Sequence, residues 1–239
     1  MGEPEFGETW AYESIIGALP GIDVSTRAAI AIQFCLFEAA AIALAAVYDL
    51  WIAIPAATGA VLVATVGSVE MLRISNLTRR DTVPETYRRL LFGSSIEVVL
   101  SVLAYVALVT HLFVFAPQRG TPLFENLLGR EPPILVVYFA LLVLWDVCYR
   151  IGTGWWASVA ALWRSARYRF DPETARLLQR ADLETMGFGV LQLVLVPFLV
   201  DFPVLLVAVV GHVCAVTAVT GLSVLLLRRR TEHDRATPT

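Results

Sequence analysis

The chain has no lysine; all 18 of its basic residues are arginine. That absence excludes a retinal or pyridoxal Schiff base and a phosphate-loop lysine. Histidine is nearly as scarce, with three residues and neither an HExxH nor an HxxxH spacing, so no metal or haem ligand set is read. The three cysteines, Cys35, Cys148 and Cys214, form no CxxC and read as small buried hydrophobes. Gly93-Ser94-Ser95 lacks the pattern of a nucleophile elbow. No catalytic residue and no cofactor are assigned on these grounds. Nor does MGEPEFGETW, at the N-terminus, carry the charged-then-apolar pattern of a cleaved signal.

Charge is thin overall. Charged residues make up 16% of the chain and apolar residues 57%, against about 25% charged in soluble domains. The mean hydropathy is +0.69. Several apolar runs reach the roughly 18–20 residues that a helix needs to cross a bilayer. The expectation is one all-α integral membrane domain over residues 1–239, with six transmembrane helices at about 28–47, 50–72, 91–115, 133–151, 183–200 and 203–227. The last two form one long apolar stretch, and Val200-Asp201-Phe202-Pro203 is its best break, because proline disfavours helix before it and can start the next one.

The arginines fix an expected orientation. With six spans, sixteen arginines fall on one side and only Arg119 and Arg130 on the other. Positive residues mark the cytoplasmic face, which puts both termini inside a plasma membrane. An arginine-rich tail at 228–239 and the inner loops would meet anionic lipid head groups, a homo-oligomeric copy or another membrane partner; nucleic acid is not expected.

Peripheral amphipathic helices flank the spans. Residues 1–24 form an expected cytoplasmic segment in which Tyr12, Ile15, Ile16 and Leu19 share a face. On the outer side, Leu123, Phe124, Leu127 and Leu128 make the apolar face of a short helix ended by Gly129. After span four, Gly152 and Gly154 permit a bend. Trp155, Trp156, Val159, Trp163 and Ala166 then form an apolar stripe opposite Arg164 and Arg167, which fits a helix lying on the inner leaflet, with a straight continuation of span four as the alternative. Spans three and five are preceded by similar starts, Pro84-Glu85-Thr86 and Pro172-Glu173-Thr174, each expected to open a helix that runs into its span. Small residues at Ala56, Ala60, Ala64 and Ser68 recur every fourth position and predict close helix packing.

The polar residues inside these runs are the candidate sites. Asp146 and Arg150 stand at i,i+4, acid first, which puts both on one helix face in the favourable order. Glu70 and Arg73 stand at i,i+3. Both read as ion pairs near the inner mouth. Counting about 1.5 Å per residue places Glu38 and His212 near the midplane, with Glu97 and Gln192 at comparable levels. An ionisable residue at such depth is expensive, so these four read as a midplane polar cluster in which Glu38 and His212 converge. Three functions are compatible with this pattern: a small-solute, ion or proton pathway, a membrane scaffold or regulatory subunit, and a lipid-modifying enzyme.

Overall fold

The computed structural model describes Trp10, residues 25–120 and residues 122–236. The expected helix around Tyr12, Ile15, Ile16 and Leu19 lies outside the described residues. Among the described residues the chain is helical, with no strand. The elements are α1 (Thr26–Tyr48), α2 (Ile54–Thr78), α3 (Glu85–Gly93), α4 (Ile96–Thr110), α5 (Ala116–Gln118), α6 (Leu123–Leu128), α7 (Ile134–Arg167), α8 (Pro172–Leu191) and α9 (Pro203–Ala236). A π-helical turn, His111–Phe115, joins α4 to α5, and a 3-10 segment, Gln192–Phe198, continues α8. Six helical stretches are long and apolar enough to span a membrane: Ala28–Tyr48, Trp51–Thr78, Glu85–Gln118, Ile134–Arg167, Pro172–Phe198 and Pro203–Thr231.

The helix ends follow local chemistry. The Ser25 hydroxyl accepts from the Ala28 N–H at the start of α1. Asp171 caps α8, its carboxylate accepting from the backbone N–H groups of Glu173 and Thr174 at 2.9 and 3.0 Å. Hydrogen bonding from Thr174 is the main reason its carboxyl is held below the ordinary range. Asp49 ends α1 with φ 58, in the left-handed region that aspartate tolerates. Pro203 begins α9.

Two expectations change here. The third span does not run on from its preceding helix, because Ser95 takes φ 54 and separates α3 from α4. The carbonyls freed at the end of α3 find indole donors instead: Trp10 Nε1 donates to Leu91 O and Trp156 Nε1 to Leu90 O, both at 3.2 Å. The second change is at Gly152 and Gly154, where α7 continues unbroken to Arg167. At 34 residues, α7 is about 51 Å long, well beyond the roughly 30 Å of a hydrocarbon core. The tryptophan stripe accordingly does not lie on a surface helix. Trp156 is buried against Tyr87, Leu91 and Leu178, while Trp155 stacks near His212. What Gly152 permits is contact: α4 and α7 approach so closely that Ser101 stands where a side chain at position 152 would be.

The long α7 is the organising element, packing on α2, α4, α8 and α9, whereas α1 packs on α2. At the arginine-rich end of the bundle, α3 and parts of α2, α7, α8 and α9 enclose one core that includes Met71, Tyr87, Leu91, Trp156, Leu178 and Leu227. At the opposite end, α6 lies over a second cluster around Leu112, Leu199 and Leu205.

Candidate functional site

A large cavity lies in the half of the bundle under α6. Its volume is about 560 Å³, and α1, α2, α4, α6, α7, α9 and the 3-10 segment after α8 all contribute to its wall. Sequence chemistry explains why space is left there. Ala53, Ala56, Ala57 and Ala60 line one wall, and Ala104, Ala107 and Ala140 line others. The small-residue stripe on α2 therefore does two things. At its arginine-rich end it closes the gap, since a Cβ on Gly67 would stand 2.8 Å from Arg150 Cβ and 2.9 Å from Phe188 Cζ. At its other end, Ala56 and Ala60 open onto the chamber, which corrects the expectation of close packing along the whole stripe.

The π turn and the 3-10 segment after α8 both border this chamber. His111 and Leu112 come from the π turn, and Gln192, Leu195 and Phe198 from the 3-10 segment. Pro197 lies inside that segment and removes a backbone donor, which weakens α-helical bonding there. The roof is α6. Leu123, Phe124, Leu127 and Leu128, the residues whose spacing predicts an apolar helical face, turn that face onto the chamber. The lining is overwhelmingly apolar, and its polar side chains are His111, Gln192 and His212, with the thiol of Cys148. Gln192 is 1% exposed, and its Oε1 has no hydrogen-bond partner.

The four residues expected to form one midplane cluster are dispersed. Gln192 and His212 both line the chamber. Glu38 does not meet His212. It accepts a hydrogen bond from the Thr58 hydroxyl on α2, while the His212 ring sits 6.2 Å from that of Trp155 on α7. The reason is helix neighbourhood: α1 packs on α2, whereas α9 packs on α7 and α8, so the spans that carry the two residues are not packed against each other. Glu97 is 2% exposed at the start of α4, with Oε2 unpartnered.

The charged pairs also sort unevenly. Arg150 Nη2 stands 3.0 Å from Asp146 Oδ1, a charge contact whose angle falls short of a hydrogen bond. The hydrogen bond to this carboxylate comes from Gln33 Nε2 of α1, at 3.0 Å to Oδ2. Both Asp146 and Arg150 are buried, at 7% and 3% exposure. Removing one partner leaves an uncompensated charge, which costs more than the pair contributes. Asp146→Asn and Arg150→Gln are each expected to lower the melting temperature in detergent, with the double variant recovering part of the loss. Strictly additive losses would show that the two charges do not interact.

Glu70 and Arg73 do not pair. Arg73 reaches across to Glu184 on α8 at 2.6 Å, and Arg180 holds the same carboxylate oxygen at 3.1 Å. Glu70 is left with a buried, unpartnered Oε1. The most deeply buried ion pair among the described residues was not legible in the sequence. Arg164, expected on a polar face, is 0% exposed; its Nη2 lies 2.8 Å from both carboxylate oxygens of Asp182, and its Nη1 donates to the Tyr87 hydroxyl at 3.3 Å. Ser223 donates to Asp182 at 2.7 Å, and Ser165 lies 2.7 Å from Ser223. This network ties α3, α7, α8 and α9 together. Asp182 carried no signal because it falls just before the expected span five, on the part of the helix expected outside the membrane, where a solvated acid is the default.

Among the described residues no group of three or more histidine, cysteine, aspartate or glutamate side chains could hold a metal, and the cysteines are free. A family model matches residues 5–223, most of the chain. The chain belongs to DUF7530, a family of unknown function. The DUF7530 match takes in α1 to α8, the residues lining the chamber and the Arg164–Asp182 network. No curated protein and no solved structure matches the chain.

Proposed function

We propose that this DUF7530 protein is a six-span integral membrane protein with both termini cytoplasmic, and that it binds a lipophilic molecule in the chamber beneath α6. Membrane insertion is supported by the length and apolarity of six helices and by exposed side chains such as Val47 (72%), Ile52 (73%) and Val207 (70%). An apolar surface this extensive is unusual on a soluble monomer. The orientation rests on the sixteen-to-two arginine split, which sets the chamber in the outer half of a plasma membrane and the Arg164–Asp182 end in the cytoplasm. On that cytoplasmic face, the exposed arginines suit anionic lipid head groups or a protein partner.

The observation that carries the binding role is the chamber itself. Its volume of about 560 Å³ falls within the ~300–1,000 Å³ of small-molecule sites. A wall of alanine, leucine, valine and phenylalanine favours an apolar guest over an ion or a hydrated solute. The half-buried Glu38 and the buried Glu70, Glu97 and Asp146 do not line it, so it lacks the carboxylates that a cation or proton pathway would need.

Two measurements test this reading. Single cysteines placed at the exposed positions Gln118 and Thr82, in a cysteine-free background, are expected to react with impermeant reagents from opposite sides of sealed vesicles. Reaction from the same side would end the six-span topology. For the chamber, wild-type protein purified in mild detergent is expected to carry about one lipophile per chain by solvent extraction and mass spectrometry. Ala60→Phe with Ala140→Phe, both filling the chamber, should abolish that occupancy while the helical circular dichroism is kept. Equal lipid content in the filled variant would refute a chamber-bound ligand.

A further inference from the structure

The roof of the chamber hangs between two glycines. Gly120 precedes α6 with φ 71, and Gly129 follows it with φ 84 and ψ 172, a region that only glycine occupies without strain. A side chain at either position would meet nothing within 4 Å, so no neighbour holds these residues in place. Between them α6 has six residues and is about 9 Å long, too short to be a stable helix by itself. It depends on what its apolar face rests on, and that face looks onto the chamber. Leu123, Phe124, Leu127 and Leu128 line the space, yet no residue of α6 is buried. Its footing is narrow. It packs on the 3-10 turn Trp51–Ala53 and on the π turn, where the Phe124 and Phe113 rings stand 5.0 Å apart. Leu123 and Phe124 also touch the cluster around Leu112. Across Gly129, Arg130 Nε donates to Glu125 Oε1 at 2.7 Å, an exposed ion pair that water and salt weaken.

From this geometry, and resting on the lipophile-binding reading above for what passes through, we infer that α6 is a hinged lid. It swings on Gly120 and Gly129, and its opening is the route by which a guest enters and leaves the chamber. The two glycines absorb the change in φ and ψ that such a swing requires. The Phe113–Phe124 contact and the Glu125–Arg130 pair set how firmly the lid sits when closed. The rest of the wall is less free to move, because α2, α4 and α9 each pack on α7. Local opening costs least where few contacts are buried, and in this chamber that place is the roof. A guest would also give the closed lid the partner it lacks. Burying the four inward side chains of α6 against an apolar molecule favours the closed state, so binding and closure reinforce each other.

The test reads water access to the chamber in full-length protein held in mild detergent and washed free of lipid. Cys35, Cys148 and Cys214 are replaced by alanine, and Ala60→Cys sets one thiol in the half-buried chamber wall. The probe is MTSET, a small trimethylammonium thiosulfonate whose charge keeps it out of the micelle. With the lid intact, Ala60→Cys is expected to react at least ~10-fold more slowly than Gln118→Cys, an exposed reference. Gly129→Ala adds a methyl that touches nothing and strains the closed backbone, so it should speed the reaction at position 60 by about 5–30-fold. Phe113→Ala withdraws the ring against α6 and leaves the roof whole, and should speed it by about 2–10-fold. Gly187→Ala on α8, equally free of neighbours, should leave the rate unchanged. Rates moved by neither Gly129→Ala nor Phe113→Ala would overturn the lid, as would Ala60→Cys reacting as fast as Gln118→Cys with the lid intact. Solvent extraction of unwashed protein separates this inference from the reading beneath it. Lipophile present with unmoved rates would overturn the lid alone, whereas moved rates with no lipophile in any preparation would overturn the lipophile and leave the lid.

Discussion

Arg164→Gln is expected to be the most damaging single substitution at the arginine-rich end of the bundle. Its guanidinium is fully buried and shares Asp182 with the Ser223 hydroxyl, so glutamine leaves a buried carboxylate whose cation is gone. Breaking one side of such a pair costs about 3–5 kcal/mol. The loss reaches four helices, since Tyr87 on α3 and Ser223 on α9 depend on the same two charges. Asp182→Asn should give a comparable drop in melting temperature. The double variant Arg164→Leu with Asp182→Leu should recover much of the loss, because two apolar side chains leave no charge unpaired. A single variant that melts within a degree or two of wild type would mean that this end is hydrated and the pair is weak.

Gly152→Ala is the second large effect, and it probes the α4–α7 seam. An added Cβ would run into Ser101 Oγ and meet Ser101 N at 2.9 Å and Ser101 Cα at 3.0 Å. Two of these are backbone atoms that cannot rotate away, so α4 must shift as a body. Overpacking of this kind costs about 1–3 kcal/mol or more. The shift would also disturb the Ser101 hydroxyl, which donates to the carbonyls of Glu97 and Tyr149. Gly187→Ala is the matched control. Nothing lies within 4 Å of its added Cβ, and in a helix alanine should be neutral or stabilising by up to about 1 kcal/mol. If both alanine variants melt alike, the close approach at Gly152 is not a constraint on the fold.

These two predictions mark where the sequence was silent. Arg164 stood opposite an apolar stripe and read as a solvent-facing base, and Gly152 read as a bend. Each depends on a neighbour more than fifteen residues away: Asp182 on α8 for the first, Ser101 on α4 for the second. No spacing rule along one helix could reveal either. Arg73 shows the same limit, since its sequence neighbour Glu70 was the local choice and Glu184 on α8 is the observed one.

What the sequence determined by itself is everything set by periodicity and composition within a single element. Six apolar runs of spanning length appear as six helical stretches, and Pro203 begins the last of them. Asp146 and Arg150, four residues apart on one helix, stand 3.0 Å apart because the α-helical repeat puts them on one face. The apolar face of α6 follows from Leu123, Phe124, Leu127 and Leu128 for the same reason, although what that face covers does not. The tertiary structure decided how the helices stand relative to one another in height, rotation and separation. That relation moved Glu38 to Thr58 and His212 to Trp155, and it turned half of the small-residue stripe into the wall of a chamber. The physical reason is that helical spacing is fixed by backbone hydrogen bonds only within an element. Between elements it is fixed by side-chain packing summed over many partners, and an alanine looks the same in sequence whether its neighbour closes in or leaves room.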